Sequence, residues 1–183
     1  PGREKAIILA GCKVPFAQSE KEQMVEQCLK YLLIGRYNSR LWREIQEKRG
    51  LVYNLSGGFY SVYPLAGCFY IYAESLPDRT DDVRNLIMDL LGRPLEGSDA
   101  EQLEETKEWF YDWYSLNTSD LEHGAFAELI RDKLARNENP NRAERYYMRQ
   151  QKNIMNVNLG EVEQMRSEVL KSEKFVTVIA KPV

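Results

Sequence analysis

The chain has 183 residues, 43% of them hydrophobic and 29% charged, which is the make-up of one globular domain with its own core and excludes a disordered chain. A formal charge of -3 excludes nucleic acid as the default partner, because binding phosphates calls for a basic surface. No apolar run approaches the ~20 residues that cross a bilayer, so membrane insertion is not expected.

Cysteine and histidine narrow the chemistry further. Cys12, Cys28 and Cys68 are odd in number and far apart, which is neither a disulfide framework nor metal-ligand spacing. They read as small apolar core residues. His123 is the single histidine, with no second His and no Cys at ligand spacing, and reads as a solvated or helix-end residue. The opening Pro1-Gly2-Arg3, without Met, is expected of a piece excised from a longer chain, and residues 1–183 read as one domain.

In chain order, Lys5 to Cys12 is an apolar run consistent with a buried strand. Ser19 to Ile34 reads as a helix. Ser19 and Glu22 form a capping box, and Met24, Cys28, Tyr31 and Leu32 recur at three- and four-residue steps. Gly35 ends it, and a short link leads to a second helix with Ser39 as N-cap. Leu41, Trp42 and Ile45 share its buried face. Lys48 and Arg49 favour its C-terminal dipole, and Gly50 is the left-handed stop. Leu51 to Tyr63 and Cys68 to Ser75 form a hairpin around a turn at Pro64 to Gly67. Alternation puts Phe69, Ile71 and Ala73 on one face and Tyr70, Tyr72 and Glu74 on the other, and puts Tyr53 on the side of Leu55. The Gly57-Gly58 pair reads as a bulge, with close approach of a peptide to the sheet edge as the alternative.

The remainder is mostly helical. Val83, Leu86, Ile87, Leu90 and Leu91 make an apolar stripe. Ser98 and Glu101 form a second capping box opening Asp99 to Leu116. That helix carries Trp109, Phe110, Tyr111, Trp113 and Tyr114, more aromatic surface than one helix face needs. Ser119 and Glu122 form a third box before a helix through Leu134. A loop follows at Asn137 to Asn141, then helices Arg142 to Met155 and Gly160 to Leu170, the latter capped by Asn158, and an apolar strand Phe175 to Ala180. The order, a strand, two helices, a hairpin, several helices and a last strand, predicts an α+β fold, a two-layer sandwich of helices on a sheet.

The run LLIGRYNSRLWREIQEKRGLVYNLSGGFY, followed by GCFYIYAES and an acidic amphipathic helix, resembles the M16 zinc metallopeptidases of the pitrilysin, insulinase and mitochondrial-processing-peptidase group. Ser39-Arg40-Leu41 and Glu47 to Tyr53 match the family's Ser-Arg-Leu and Glu-Lys-x-Gly-Leu-x-Tyr pattern, and Glu96 to Lys107 resembles its next helix. The catalytic half of such enzymes carries His-x-x-Glu-His, in which two histidines hold zinc and the glutamate activates water. One histidine cannot build that site. The resemblance therefore implies the non-catalytic half, with no cofactor of its own. Zn2+ is expected in a catalytic M16 half, on the same chain or a separate subunit, that faces this one across a peptide chamber.

In that half the family carries an Arg and a Tyr, seven residues apart, directed at the substrate. The Tyr position is Tyr53 and the Arg position holds Gln46, which brings no charge to an oxyanion. Arg43, a turn earlier, either substitutes or pairs with Glu47 at i, i+4. Substrate binding is thus expected of Tyr53, Gln46 and Arg43, with core packing as the alternative for Tyr53. The competing function is a proteolytically inert, core-protein-like subunit of the same fold.

Overall fold

The computed structural model describes residues 5–62, 66–119 and 146–182. Strands β1 (Ala6–Val14), β2 (Val52–Val62), β3 (Ala66–Ser75) and β4 (Val176–Ala180) form one antiparallel sheet in the order β2-β3-β1-β4. β1 buries Ala6, Ile8, Ala10, Cys12 and Val14 while Leu9 is 44% exposed. The apolar run is therefore a one-faced strand, not one buried on both sides, as an antiparallel sheet with a single helical layer requires. In β3, Phe69, Ile71 and Ala73 are fully buried, as alternation predicts.

The hairpin corrects the expected bulge. Gly57 and Gly58 stay in regular register opposite Ile71 and Tyr70, and the irregularity falls between Val52, opposite Ser75, and Asn54, opposite Glu74. Tyr53 is the extra residue. The glycines answer crowding instead. A Cβ at Gly57 would lie 2.3 Å from the Tyr70 carbonyl oxygen, and Gly58, at φ +142°, lies under the Lys30 side chain. Of the expected turn, residues 63–65 lie outside the described residues, whereas Ala66 and Gly67 already belong to β3.

Five α-helices accompany the sheet among the described residues: α1 (Glu20–Leu33), α2 (Thr80–Gly92), α3 (Gly97–Ser119), α4 (Tyr146–Met155) and α5 (Leu159–Val169). Their apolar stripes meet the inner sheet face in one cluster, where Leu29, Leu32, Val83, Ile87, Leu103 and Val162 pack with Ile8, Phe69 and Ile71. Cys12 and Cys28 belong to it as expected, while Cys68 is only half-buried.

The caps are specific. Ser19 Oγ accepts from the Glu22 N–H at 3.1 Å, but Glu22 reaches back to the Gln18 N–H rather than to Ser19, so only half of that box forms. At α3 the expected Ser98–Glu101 box is replaced. The helix starts at Gly97, and Asp99 Oδ2 accepts from the Glu96 N–H at 2.7 Å. At α5 Asn158 and Glu161 form a full box, with bonds of 3.0 and 3.2 Å. The expected box at Glu122, the helix through Leu134, the loop Asn137 to Asn141 and His123 lie outside the described residues.

Two arginines from opposite ends of the chain close the C-terminal end of α2. Arg40 donates to the carbonyls of Leu90, Arg93 and Pro94 at 3.3, 2.7 and 2.9 Å, and to Asp99 Oδ2 at 2.8 Å. Arg166 donates to the carbonyls of Leu91 and Gly92 at 3.0 and 3.1 Å and holds Glu163 by two bonds of 2.7 Å. Helix ends leave carbonyls without intrahelical partners, and both guanidinium groups satisfy them with charge matched to the helix dipole.

Candidate functional site

The corner between α1 and β2 is built from a helical segment that begins at Arg40. Ser39 occupies the N-cap place in the backbone, since its carbonyl accepts from the Arg43 N–H at 2.9 Å. Its hydroxyl does not act as the expected cap. Ser39 is fully buried, and Oγ has no partner among the described residues. Burial of Leu41 and Ile45 fixes the segment's inner face, and this packing rather than capping sets where the helix starts.

From Trp42 to Glu47 the segment is a π-helix, with the Lys48 N–H bonded to the Arg43 carbonyl at 3.0 Å. Such wide turns are rare and concentrate at functional sites. Gly50 ends it at φ +57°, the left-handed conformation expected. The Gly50 N–H bonds the Gln46 carbonyl at 2.9 Å and the Leu51 N–H bonds the Ile45 carbonyl at 3.0 Å. Each bond spans one residue more than in an α-helical ending of this kind, consistent with the wider winding.

The winding also reassigns the charges. Lys48 and Arg49 both close on Glu44, at 2.5 and 2.8 Å, and their hydrogen bonds hold the Glu44 carboxyl down at about 2. The expected Arg43–Glu47 pair does not occur among the described residues. A π-helix is wound more widely than an α-helix, with i→i+5 bonds, so residues three apart sit further from a shared face. Arg43 lines a small cavity of about 160 Å³ with Arg40, Glu44, Arg93 and Asp99, and its Nε is buried without a partner. Gln46 is half-buried and its Oε1 likewise has none.

Tyr53 sits on the adjacent strand, 55% exposed. Because it is the bulge residue, it and Asn54 both turn outward while Val52 and Leu55 are buried, which overturns the expected grouping of Tyr53 with Leu55. The Lys5 ammonium stands 4.4 Å from the Tyr53 ring centroid and 3.7 Å from Glu74. Tyr53 is thus a solvent-facing phenol beside a cation rather than a core residue. The cavity that Arg43 lines includes neither Tyr53 nor Gln46.

Beside the corner lies a cleft of about 640 Å³ that periodicity did not mark. Tyr31, Tyr37, Trp42 and Trp109 line it with Arg36 and Asn38, and Asn54 and Leu55 of β2 close one side. Tyr37, 76% exposed, stands edge-on to Trp42 with ring centroids 5.0 Å apart. Tyr31 and Trp109 lie 5.2 Å apart, and the Arg36 guanidinium covers Trp109 at 5.4 Å. Asn38 donates to Glu105 at 3.3 Å, but its Oδ1 is buried without a partner. The only sequence signal was local: Arg36-Tyr37-Asn38 puts cation, ring and amide in a link between two helices, too short to show a period. Along α3 the aromatic run divides. Phe110 and Tyr114 are buried, while Tyr111 and Trp113 remain exposed.

The described residues do not fit zinc. Zinc takes deprotonated thiolate, neutral imidazole or carboxylate ligands, and burial pushes the Cys28 thiol up to about 12. Burial raises Cys12 as well. Among the described residues no three His, Cys, Asp or Glu side chains stand close enough to hold a metal ion.

Comparison with known proteins places this geometry. The family model for the peptidase M16 inactive domain matches residues 1–110. A curated relative, an uncharacterized zinc protease of Mycobacterium leprae, is 32% identical over 88 residues, covering 48% of this chain and 19% of the relative. The match thus spans about a fifth of that protein. The peptidase M16 inactive domain from Pseudomonas fluorescens superposes with a TM-score of 0.75 at 18% identity, over 99% of this chain and 41% of that one. A protease from Helicobacter pylori gives 0.75 at 19% identity, over 98% and 42%. These two likenesses establish the fold.

Proposed function

Because the chain belongs to the M16 peptidase family and carries its inactive domain, we propose that it is the substrate-binding, non-catalytic half of a zinc metallopeptidase. It closes a peptide chamber against a half that bears His-x-x-Glu-His and the zinc. The observation that carries this reading is the exposed Tyr53 phenol beside the corner. Asn38 Oδ1, Ser39 Oγ, Arg43 Nε and Gln46 Oε1 are buried without protein partners over nine consecutive residues. Buried polar groups are nearly always paired, so this segment is held by the packing around it, and the exposed Tyr53 and the cleft beside the corner are what face a peptide. Tyr53, exposed on the neighbouring strand beside Lys5, is the donor we assign to the substrate or to developing charge on it. Zinc, when bound in the partner half, supplies the activated water; this chain's residues bind and orient.

The test is reconstitution with the catalytic half. Hydrolysis is expected only when both are present. Tyr53→Phe is expected to lower kcat/KM by up to about 10²-fold, the usual effect of losing one preorganised donor, with an unchanged urea midpoint. Gln46→Arg is expected to raise it, because a cation strengthens electrostatic help. A rival reading, an inert structural subunit, is favoured by Gln46 standing where the family carries Arg. It gains if the two halves co-purify without turnover, or if both variants match wild type in rate.

A further inference from the structure

The cleft between Trp42 and Trp109 joins two features that general peptide binding does not require together, walls of aromatic rings and a single cation. Tyr31, Tyr37, Trp42 and Trp109 supply the rings, and Arg36 is the one charged side chain among the lining residues. Tyr37 is 76% exposed and stands edge-on to Trp42, so this wall is open to an incoming group. The volume of about 640 Å³ is within the usual range for a ligand site, where apolar walls bind and a few polar groups orient.

Arg36 is placed to orient. It sits in the link after α1, half-buried, and its guanidinium carbon lies 5.4 Å from the Trp109 ring centroid. A guanidinium held over an aromatic face still has donors to give, because its N–H groups form a planar fork. Among the described residues no carboxylate pairs with it. Glu105, the acid one turn before Trp109 on α3, meets Asn38 Nδ2 instead, at 3.3 Å. An arginine fork matches a carboxylate through two parallel hydrogen bonds. Among unmodified residues, only the last residue of a peptide carries an aromatic side chain and an anion together, both on one Cα. An Asp or Glu side chain brings the anion without the ring.

We infer that this cleft captures the C-terminal residue of a peptide when that residue is aromatic. Its ring packs against Tyr31, Tyr37 and Trp42, and its α-carboxylate accepts from the Arg36 guanidinium. This rests on the peptide-binding reading and names the end of the peptide that the domain holds.

The test is titration of the 183-residue chain with N-acetylated pentapeptides that differ only at the C-terminus. They end in Phe as the free acid, in Phe as the amide, in Ala as the free acid, or in Phe-Asp as the amide. Indole fluorescence follows binding, and amide NMR shifts at residues 36–42 locate it. The Phe acid is expected to bind saturably and about tenfold more tightly than the Phe amide, the lower range for a hydrogen bond to a charged group. High salt is expected to narrow that lead. The Ala acid is expected to bind more weakly than the Phe acid, and the Phe-Asp amide no better than the Phe amide. Arg36→Gln is expected to abolish the acid-over-amide preference while leaving the Phe amide's affinity in place. Arg36→Lys is expected to keep part of the preference, having charge without the fork. Tyr37→Ala, at an exposed position, is expected to weaken both Phe peptides together. Equal affinity for the Phe acid and the Phe amide overturns the capture and leaves peptide binding standing. So do equal affinity for the Phe and Ala acids, a Phe-Asp amide that matches the Phe acid, and a preference that survives Arg36→Gln. Shifts confined to residues far from the cleft do the same. No saturable binding of any peptide, with the fold intact by circular dichroism, overturns the capture and the peptide-binding reading together.

Discussion

The C-terminal end of α2 and the corner from Asn38 to Tyr53 both bury polar side chains, and they treat them in opposite ways. At α2, Arg40 and Arg166 satisfy carbonyls of the last turn and the residues just beyond it, while Asp99 and Glu163 neutralise the two guanidinium groups. Glu163 also accepts from the Leu95 N–H at 2.9 Å. At the corner, four side-chain atoms lack partners among the described residues. Gln102, whose Nε2 donates to the Asn38 carbonyl at 3.0 Å, adds a fifth. These are five of the seven such atoms among the described residues. An unpaired buried polar group costs about 1–3 kcal/mol, so the corner is held in place by its surroundings rather than by its own bonds. The difference separates a joint held by its own hydrogen bonds from one held by the packing around it.

The largest expected effect breaks the saturated side. Arg40→Ala leaves Asp99 buried without its cation and strips three carbonyls of their donor. A loss of about 3–5 kcal/mol is expected in urea unfolding, the usual result of removing one member of a buried pair. A loss under about 1 kcal/mol would show that the network does not hold α2 to the corner.

Gly50→Val tests the corner's one rigid point. Nothing crowds a side chain there, so any cost comes from the backbone at φ +57°. A β-branched residue in that conformation is expected to cost about 1–3 kcal/mol, and an unchanged midpoint would remove the strain argument.

Ser39→Ala sharpens the contrast by its sign. A working N-cap would lose about 1 kcal/mol on this change. A buried hydroxyl without a partner is instead expected to leave stability unchanged or to raise it by about 1 kcal/mol. Destabilisation by the full cap value would restore the hydroxyl as a cap.

The smallest effect concerns the exposed rim. The Glu44 carboxyl is lowered from 4.5 to about 2 by Arg49 and Lys48, so its contribution is fully present above pH 4.5 and fades as pH falls toward 2. Both cations are solvent-exposed, and the contribution is expected to stay under about 1 kcal/mol. Glu44→Gln should flatten that part of the stability profile, while an identical slope in both proteins would assign the acid loss elsewhere.

Much of this architecture is local and is written within a few residues of itself. Alternation assigned the two faces of β3, Gly50 marked the left-handed stop, and Asn158 marked the start of α5, because side-chain period, φ preference and capping act over one turn or one strand. The same locality explains the misses. Ser98 lost the α3 cap to Asp99, whose carboxylate is held at the same time by Arg40 from 59 residues away. The bulge moved from the glycines to Tyr53, and Arg43 lines a cavity without Gln46. The aromatic cleft draws on α1, the corner, β2 and α3 at once. By itself, then, the sequence determined the strands, most helix boundaries and the family to which the corner belongs. Only the tertiary structure decided which polar groups found partners and which were left open, because a hydrogen bond between residues 50 to 75 apart exists only after the packing has brought them together.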